Sequence, residues 1–396
     1  MNKNKKSNER AFYTADPGDV LAGRITDVYF ERTLRILRAK GVNPLVKAEF
    51  IAKSFPKGWP WGVFAGLDEA LQVLRPLPVK VRAMMEGEVF YPYEPVMEIE
   101  GRYADFCVFE TALLGLICQA SGIATQAARF RNLAGERLVI SFGARRMHPV
   151  LAPMIERNAY IGGADGVSVG ESGRVIGREA MGTMPHALVL CMGSTLEALR
   201  AFDDVIEPEV PRVALIDTLQ DEKFESINVA GAFGKRLYAV RFDTPASRRG
   251  NFYRILEECR WELDLRGHRD VKFFVSGGIR EEDVPVLNPL VAGYGIGTAI
   301  SNAPVIDYAM DITETGGKPF AKKGKWGGSK RVGKCTACGA RRIVPNRPDA
   351  VCPCGGKSFT DVLVPVLDDG RELFTREKAE AIRQRTLTNT AGLPLA

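Results

Sequence analysis

The chain is short of histidine, of net charge and of long apolar stretches. Only three of its 396 residues are histidines, and the net charge is +6. No apolar run approaches the ~18–20 residues that span a bilayer, so no membrane partner is expected. The first ten residues, MNKNKKSNER, lack a hydrophobic core; they read as a frayed tail and not as a secretory signal. Seven basic side chains and no acid fall within 318–334, which leaves the remainder near neutral. A nucleic-acid-binding protein spreads basic charge over a whole face, so small anionic substrates suit this balance better. A disulfide framework is also missing. Cys107, Cys118, Cys191 and Cys259 are scattered and the other four cysteines cluster near the C-terminus, which fits a reducing cytoplasm.

Hydrophobic content of 45% and charged content of 26% describe a globular protein. Six short apolar runs end in polar or glycine punctuation: LVISFGARR (138–146), DGVSVG (165–170), VALIDT (213–218), LYAVRFD (237–243), KFFVSGG (272–278) and GYGIGT (293–298). Near-continuous Val, Ile, Leu and Phe are the mark of parallel strands buried on both faces. The fold class is therefore α/β. With only six clear strands an incomplete β/α barrel is expected, and an open doubly wound sheet is the alternative. An α+β domain over 1–130 precedes the barrel at 131–317. It carries helical periodicity at 27–40 and alternating strands at 79–100. The stretch 108–131 reads as a buried helix with small Gly115 and Gly122 on it. A basic linker, a small cysteine-bearing module and a polar helix near 375–386 fill 318–396.

Polar residues after successive strands converge on one mouth of a barrel. They are Arg145 and Arg146, Asp165, Asp217, Arg241 and Asp243, then Ser276-Gly277-Gly278 and Gly297-Thr298. Two glycine turns on the last strands let backbone N–H groups approach a phosphate closely. The arginines supply forks for carboxylate or phosphate. Three carboxylates beside bound phosphates imply Mg²⁺. His186, in GTMPHAL, sits between two strands of this series.

TDVYF (26–30), FETALLG (109–115), SFGARR (141–146), GGADG (162–166), GTMPHAL (182–188), LIDT (215–218), VRFD (240–243), SGG (276–278) and GIGTAIS (295–301) resemble, in order and spacing, the nicotinate phosphoribosyltransferases. The resemblance runs from about residue 20 to 330. It implies an enzyme of NAD salvage that joins nicotinate to phosphoribosyl pyrophosphate with the help of ATP, and that builds its active site between subunits of a homo-oligomer. By the same resemblance His186 is the histidine that ATP phosphorylates. Phe142, with Tyr29 of a neighbouring subunit, sandwiches the pyridine ring. Arg145 and Arg241 face ring and phosphates, Asp217 and Asp243 lie beside the ribose and Mg²⁺, and the glycine turns hold the 5′-phosphate. The basic 318–334 segment resembles the family's lysine-rich stretch after the barrel, and reads equally well as a solvated linker. An acid at the ring substituent would suit nicotinamide, so Asp165 bears on the choice of base, and Ser168 is the candidate contact for a carboxylate. A nicotinamide or quinolinate enzyme of the same fold is the alternative. A zinc-ribbon RNA-binding protein is the alternative from another class.

CTACG (335–339) and CPCG (352–355) place Cys335, Cys338, Cys352 and Cys354 at two turns. Such thiolates suit tetrahedral Zn²⁺, in a structural role. The second pair, C-x-C, is tighter than the usual ribbon spacing, and a distorted site is expected there.

Overall fold

A computed structural model describes residues 11–348 and 350–395; the N-terminal decapeptide read as a tail lies outside them. The chain divides into two compact units, 1–119 with 306–376 and 120–305 with 377–396. The boundaries expected at 130 and 317 cut across these units. The reason is strand pairing: Val364–Asp368 pairs with Val79–Ala83, and Lys318–Pro319 with Tyr308–Thr315. The C-terminal region therefore splits between the units instead of forming a third.

The first unit is built on a seven-stranded sheet. On the inner strand Leu45–Ala52, Val46, Ala48 and Phe50 enter the core while Lys47 and Glu49 take the other face, as a period of two requires. That second face is charged. Lys47 pairs with Glu100 and Glu314, and Arg82 with Glu98 and Asp361. The basic 318–334 segment lies over it and is no solvated linker. Lys330 Nζ donates to Glu49 Oε2 at 2.7 Å, and Lys322 and Lys325 both reach Asp311. The Lys330, Lys325, Glu49 and Asp311 side chains are all buried, so each charge depends on its partner.

The second unit contains all six expected strands: β1 (Leu138–Ser141), β2 (Gly166–Val167), β3 (Val213–Leu215), β4 (Ala239–Phe242), β5 (Lys272–Val275) and β6 (Gly293–Ile296). They pair in the order β2-β1-β6-β5-β4-β3, every pair parallel. This is chain order closed into a ring, with the last strand beside the first and a break between β2 and β3. A doubly wound sheet would reverse direction at a switch point, so the fold is the incomplete barrel. At the break, the Met181 N–H donates to the Val167 carbonyl at 2.7 Å, and the segment leading to His186 runs along the open edge. Ala214, Val240, Phe242, Val275, Tyr294 and Ile296 are fully buried, which explains the unbroken apolar runs.

The helix Glu110–Ala134 corrects the expectation of no long apolar stretch. It lies in a helical run with an apolar window long enough to cross a membrane, of mean hydropathy 1.6. Its Leu113 and Ile117 belong to the core of the first unit, and Ile123, Ala127 and Phe130 to the core of the second. Of its two small residues only Gly122 is needed for close approach. A Cβ there would stand 2.3 Å from the Pro304 carbonyl, whereas Gly115 has open space. The C-terminal helix runs over Ala379–Thr390, slightly later than expected.

Candidate active site

All six barrel strands run the same way, so the residues following them gather at one end. There a cavity of about 570 Å³ is lined by Phe142, Arg145 and Arg146 after β1, Ser168 after β2, and the segment 182–187 with His186. Arg241 and Asp243 join it from β4, Ser276, Gly277 and Gly278 from β5, and Gly297 and Thr298 from β6. His186 also lines a second cavity, of about 790 Å³, with Asp217, Thr218, Glu222 and Arg248.

His186 opens the helix His186–Met192. Its Nδ1 lies 2.9 Å from Thr218 Oγ1, and its Nε2 lies 3.4 Å from Asp243 Oδ2. Asp243 is fixed on its other oxygen, which accepts the Ser276 hydroxyl at 2.7 Å. Arg241 stands 3.4 Å from the same carboxylate, is tied by a second nitrogen to the Thr183 hydroxyl, and lies 5.8 Å over the Phe142 ring. That ring rests against Gly295, where a Cβ would approach it to 2.4 Å. Asp217 differs from its neighbours. Both of its oxygens are buried and meet no hydrogen-bond donor in good geometry, although the backbone N–H groups of Asp217 and Asp243 lie near enough to favour its charge. Burial pushes its carboxyl up, an effect that nearby His186 opposes and Asp243 reinforces. A buried carboxylate without a donor is a place for a cation or a proton.

Gly277 and Gly278 have successive φ values of +83° and +75°, the left-handed region that costs glycine nothing. A Cβ on Gly277 would stand 2.7 Å from the Asp243 carbonyl. The turn does not open a helix directly, because the next helix begins at Asp283. Gly297 does precede one, the single turn Thr298–Ser301.

Two expectations are corrected. Asp165 precedes β2 and so sits at the amino end of the barrel, away from the mouth. Its carboxylate accepts from Arg131 at 2.5 Å, Arg383 at 2.6 Å and the Val139 N–H at 2.8 Å, which makes it a structural ion pair. Ser168 reaches the cavity, but its hydroxyl donates to buried Glu156 at 2.7 Å. Glu156 also accepts the N–H groups of Ser168 and Val169 and so shapes that loop. Tyr29 lies in the first unit on the helix Val28–Lys40, 55% exposed. Thr183 and Thr218 carry no expected role although they stand inside GTMPHAL and LIDT, three residues before His186 and one after Asp217. Glu156 has no local signal at all.

In the first unit the four clustered cysteines form one centre. Cys335 and Cys354 sulfurs are 3.7 Å apart, Cys338 and Cys352 sulfurs 3.8 Å, and all four lie within 4.8 Å of one another. A tetrahedron of thiolates about 2.3 Å from a zinc ion has edges of about 3.8 Å, so the set fits that ion. Glycines follow the tight C-x-C pair and let its backbone lie against the cluster. A Cβ on Gly356 would stand 2.8 Å from the Cys335 sulfur.

Sequence comparison matches residues 27–121 to the N-terminal domain and 123–311 to the C-terminal domain of quinolinate phosphoribosyl transferase. A nicotinate phosphoribosyltransferase of Mycobacterium tuberculosis is 29% identical over 343 residues, covering 77% of this chain and 75% of that one. The solved nicotinate-nucleotide pyrophosphorylase of Pyrococcus furiosus is 46% identical, covers 98% of this chain and 100% of its own, and superposes with a TM-score of 0.93. The human nicotinic acid phosphoribosyltransferase shares the fold at 20% identity, with a TM-score of 0.68 over 92% of this chain and 93% of that one. The chain belongs to the type II phosphoribosyltransferase family, with the nicotinate phosphoribosyltransferases, and is an enzyme of that family.

Proposed function

We propose that this enzyme forms nicotinate mononucleotide and pyrophosphate from nicotinate and phosphoribosyl pyrophosphate, in NAD salvage in the cytoplasm. One observation carries the reading: Arg145, Arg146, Arg241 and two glycine turns share a cavity with His186 and Asp243. An anionic sugar donor needs that combination. The base is nicotinate because the acid that would have favoured nicotinamide, Asp165, is paired elsewhere, while arginines remain for a carboxylate.

The pyridine nitrogen attacks C1′ of the ribose as the C1′–O bond breaks, and pyrophosphate leaves with the electron pair. Positive charge builds on the ribose in between, and Asp243 and Asp217 stabilise it electrostatically. Phe142 under the Arg241 guanidinium supplies a flat stacking surface that orients the ring. Tyr29 of a neighbouring subunit covers the other ring face, so the working enzyme is at least a dimer. Ser276 holds Asp243 in place, and the glycine turns take the 5′-phosphate. Mg²⁺, when bound, neutralises the departing pyrophosphate; Asp217, with two oxygens lacking donors, and Asp243 would hold it. ATP assists by transferring its γ-phosphoryl group to His186, releasing ADP; hydrolysis of the phosphohistidine then drives substrate binding. The cysteine centre holds a structural zinc ion.

The test is turnover of labelled phosphoribosyl pyrophosphate with nicotinate, nicotinamide or quinolinate, each with and without ATP. Nicotinate mononucleotide, increased by ATP, is expected. Product from quinolinate with release of CO₂ and no ATP effect would replace this reading with the quinolinate one.

A further inference from the structure

The turn at Gly277–Gly278 is followed by Ile279-Arg280-Glu281-Glu282-Asp283, and its acids have different fates. Asp283 accepts the Arg280 N–H at 2.8 Å and stays local. Glu281 instead reaches the helix Glu110–Ala134. Arg129 meets it with a two-pronged fork, Nε to Oε1 at 3.0 Å and Nη2 to Oε2 at 2.7 Å, and the Gln126 amide donates to Oε1 as well. The Arg129 side chain is 7% exposed. Its remaining nitrogen Nη1 donates to the Leu395 carbonyl at 2.9 Å, which ties the C-terminal segment to the same point. Both glycines of the turn have positive φ and carry no side chain of their own to fix it. One end of it is set by Ser276 on Asp243. The other end is held by Ile279, buried in the core, and by Glu281 in the Arg129 fork.

We propose that Arg129 and Glu281 are positioning residues that hold the Gly277–Gly278 turn in the shape that receives the 5′-phosphate of the sugar donor, with the Leu395 carbonyl completing the anchor. The inference rests on the reading of that turn as a phosphate site. A bidentate arginine–carboxylate pair fixes direction as well as distance, which a flexible double-glycine turn lacks.

The test uses the full chain with Glu281→Gln and, separately, Arg129→Lys, which keeps the charge and loses the fork. Affinities for ribose 5-phosphate and for inorganic pyrophosphate are measured by calorimetry beside the thermal midpoint. Each variant should bind ribose 5-phosphate about tenfold more weakly, as expected for the loss of charge-assisted bonds. Pyrophosphate binding should change less than about twofold, and KM for phosphoribosyl pyrophosphate should rise more than KM for nicotinate. Unchanged ribose 5-phosphate affinity in both variants, or equal loss for both probes, would overturn the proposal. A wild-type chain that binds ribose 5-phosphate but transfers no phosphoribosyl group to any base would instead remove the functional reading.

Discussion

Asp165 and Asp217 each border a strand of one parallel sheet, and the structure treats them oppositely. Asp165, before β2, accepts bonds from two arginines and a backbone N–H. Asp217, after β3, is buried with no well-placed donor on either oxygen. Conserving energy would favour the first arrangement everywhere, since an unpaired buried carboxylate is costly. The second persists where a ligand or ion completes it. Within one barrel the amino end is therefore built for stability and the carboxyl end for binding.

Replacing each acid should separate these two ends. Asp165→Ala should have the largest effect on stability, about 3 kcal/mol, because it strands Arg131 and Arg383. Chemical denaturation measures it; a folded variant at wild-type stability with lost turnover would erase the contrast. Asp243→Asn should leave the unfolding midpoint nearly unchanged while lowering kcat by about 10²–10³-fold, the usual cost of a lost electrostatic stabiliser. His186→Ala should abolish the stimulation by ATP and keep a weak basal transfer. Undiminished coupling in that variant would remove His186 from the mechanism.

The smallest effect concerns pH. The Asp217 carboxyl is raised above its usual 3.8 by burial. A raised carboxyl costs stability progressively as pH climbs from its unfolded value to its folded one, in full above that, and nothing where both states are protonated. Asp217→Asn should therefore be more stable than the wild type at neutral pH, with the gap closing toward pH 4. Melting curves across pH 4–8 would instead show the variant less stable than the wild type at neutral pH if the acid were in fact paired. In the other unit, Cys338→Ser should lower zinc content from about one ion per chain and weaken the module without touching the barrel cavity; elemental analysis and a melt of the variant would decide it.

The strands β1–β6, the helix at Val28–Lys40 and the cysteine centre were legible from short-range pattern, because burial on both faces and thiolate spacing both write themselves locally. Most of the cavity was legible for the same reason, since a polar residue just after a buried strand has one place to go. Asp165 misled because it precedes its strand, and a two-residue strand gives no warning of its direction. Ser168 lines the cavity, but Glu156, which takes its hydroxyl, lies on the preceding helix, beyond any motif.

Sequence order and residue type were enough to specify parallel strands whose ends gather arginines, acids and glycine turns, since periodicity and strand-end chemistry are local properties. The three-dimensional fold alone decided which charges are spent on each other and which are left for a ligand. Lys330 with Glu49 and Arg129 with Glu281 are partners separated by long stretches of chain. Pairing across such distances is set by packing and the loss of water around each ion, neither of which is encoded in neighbouring residues.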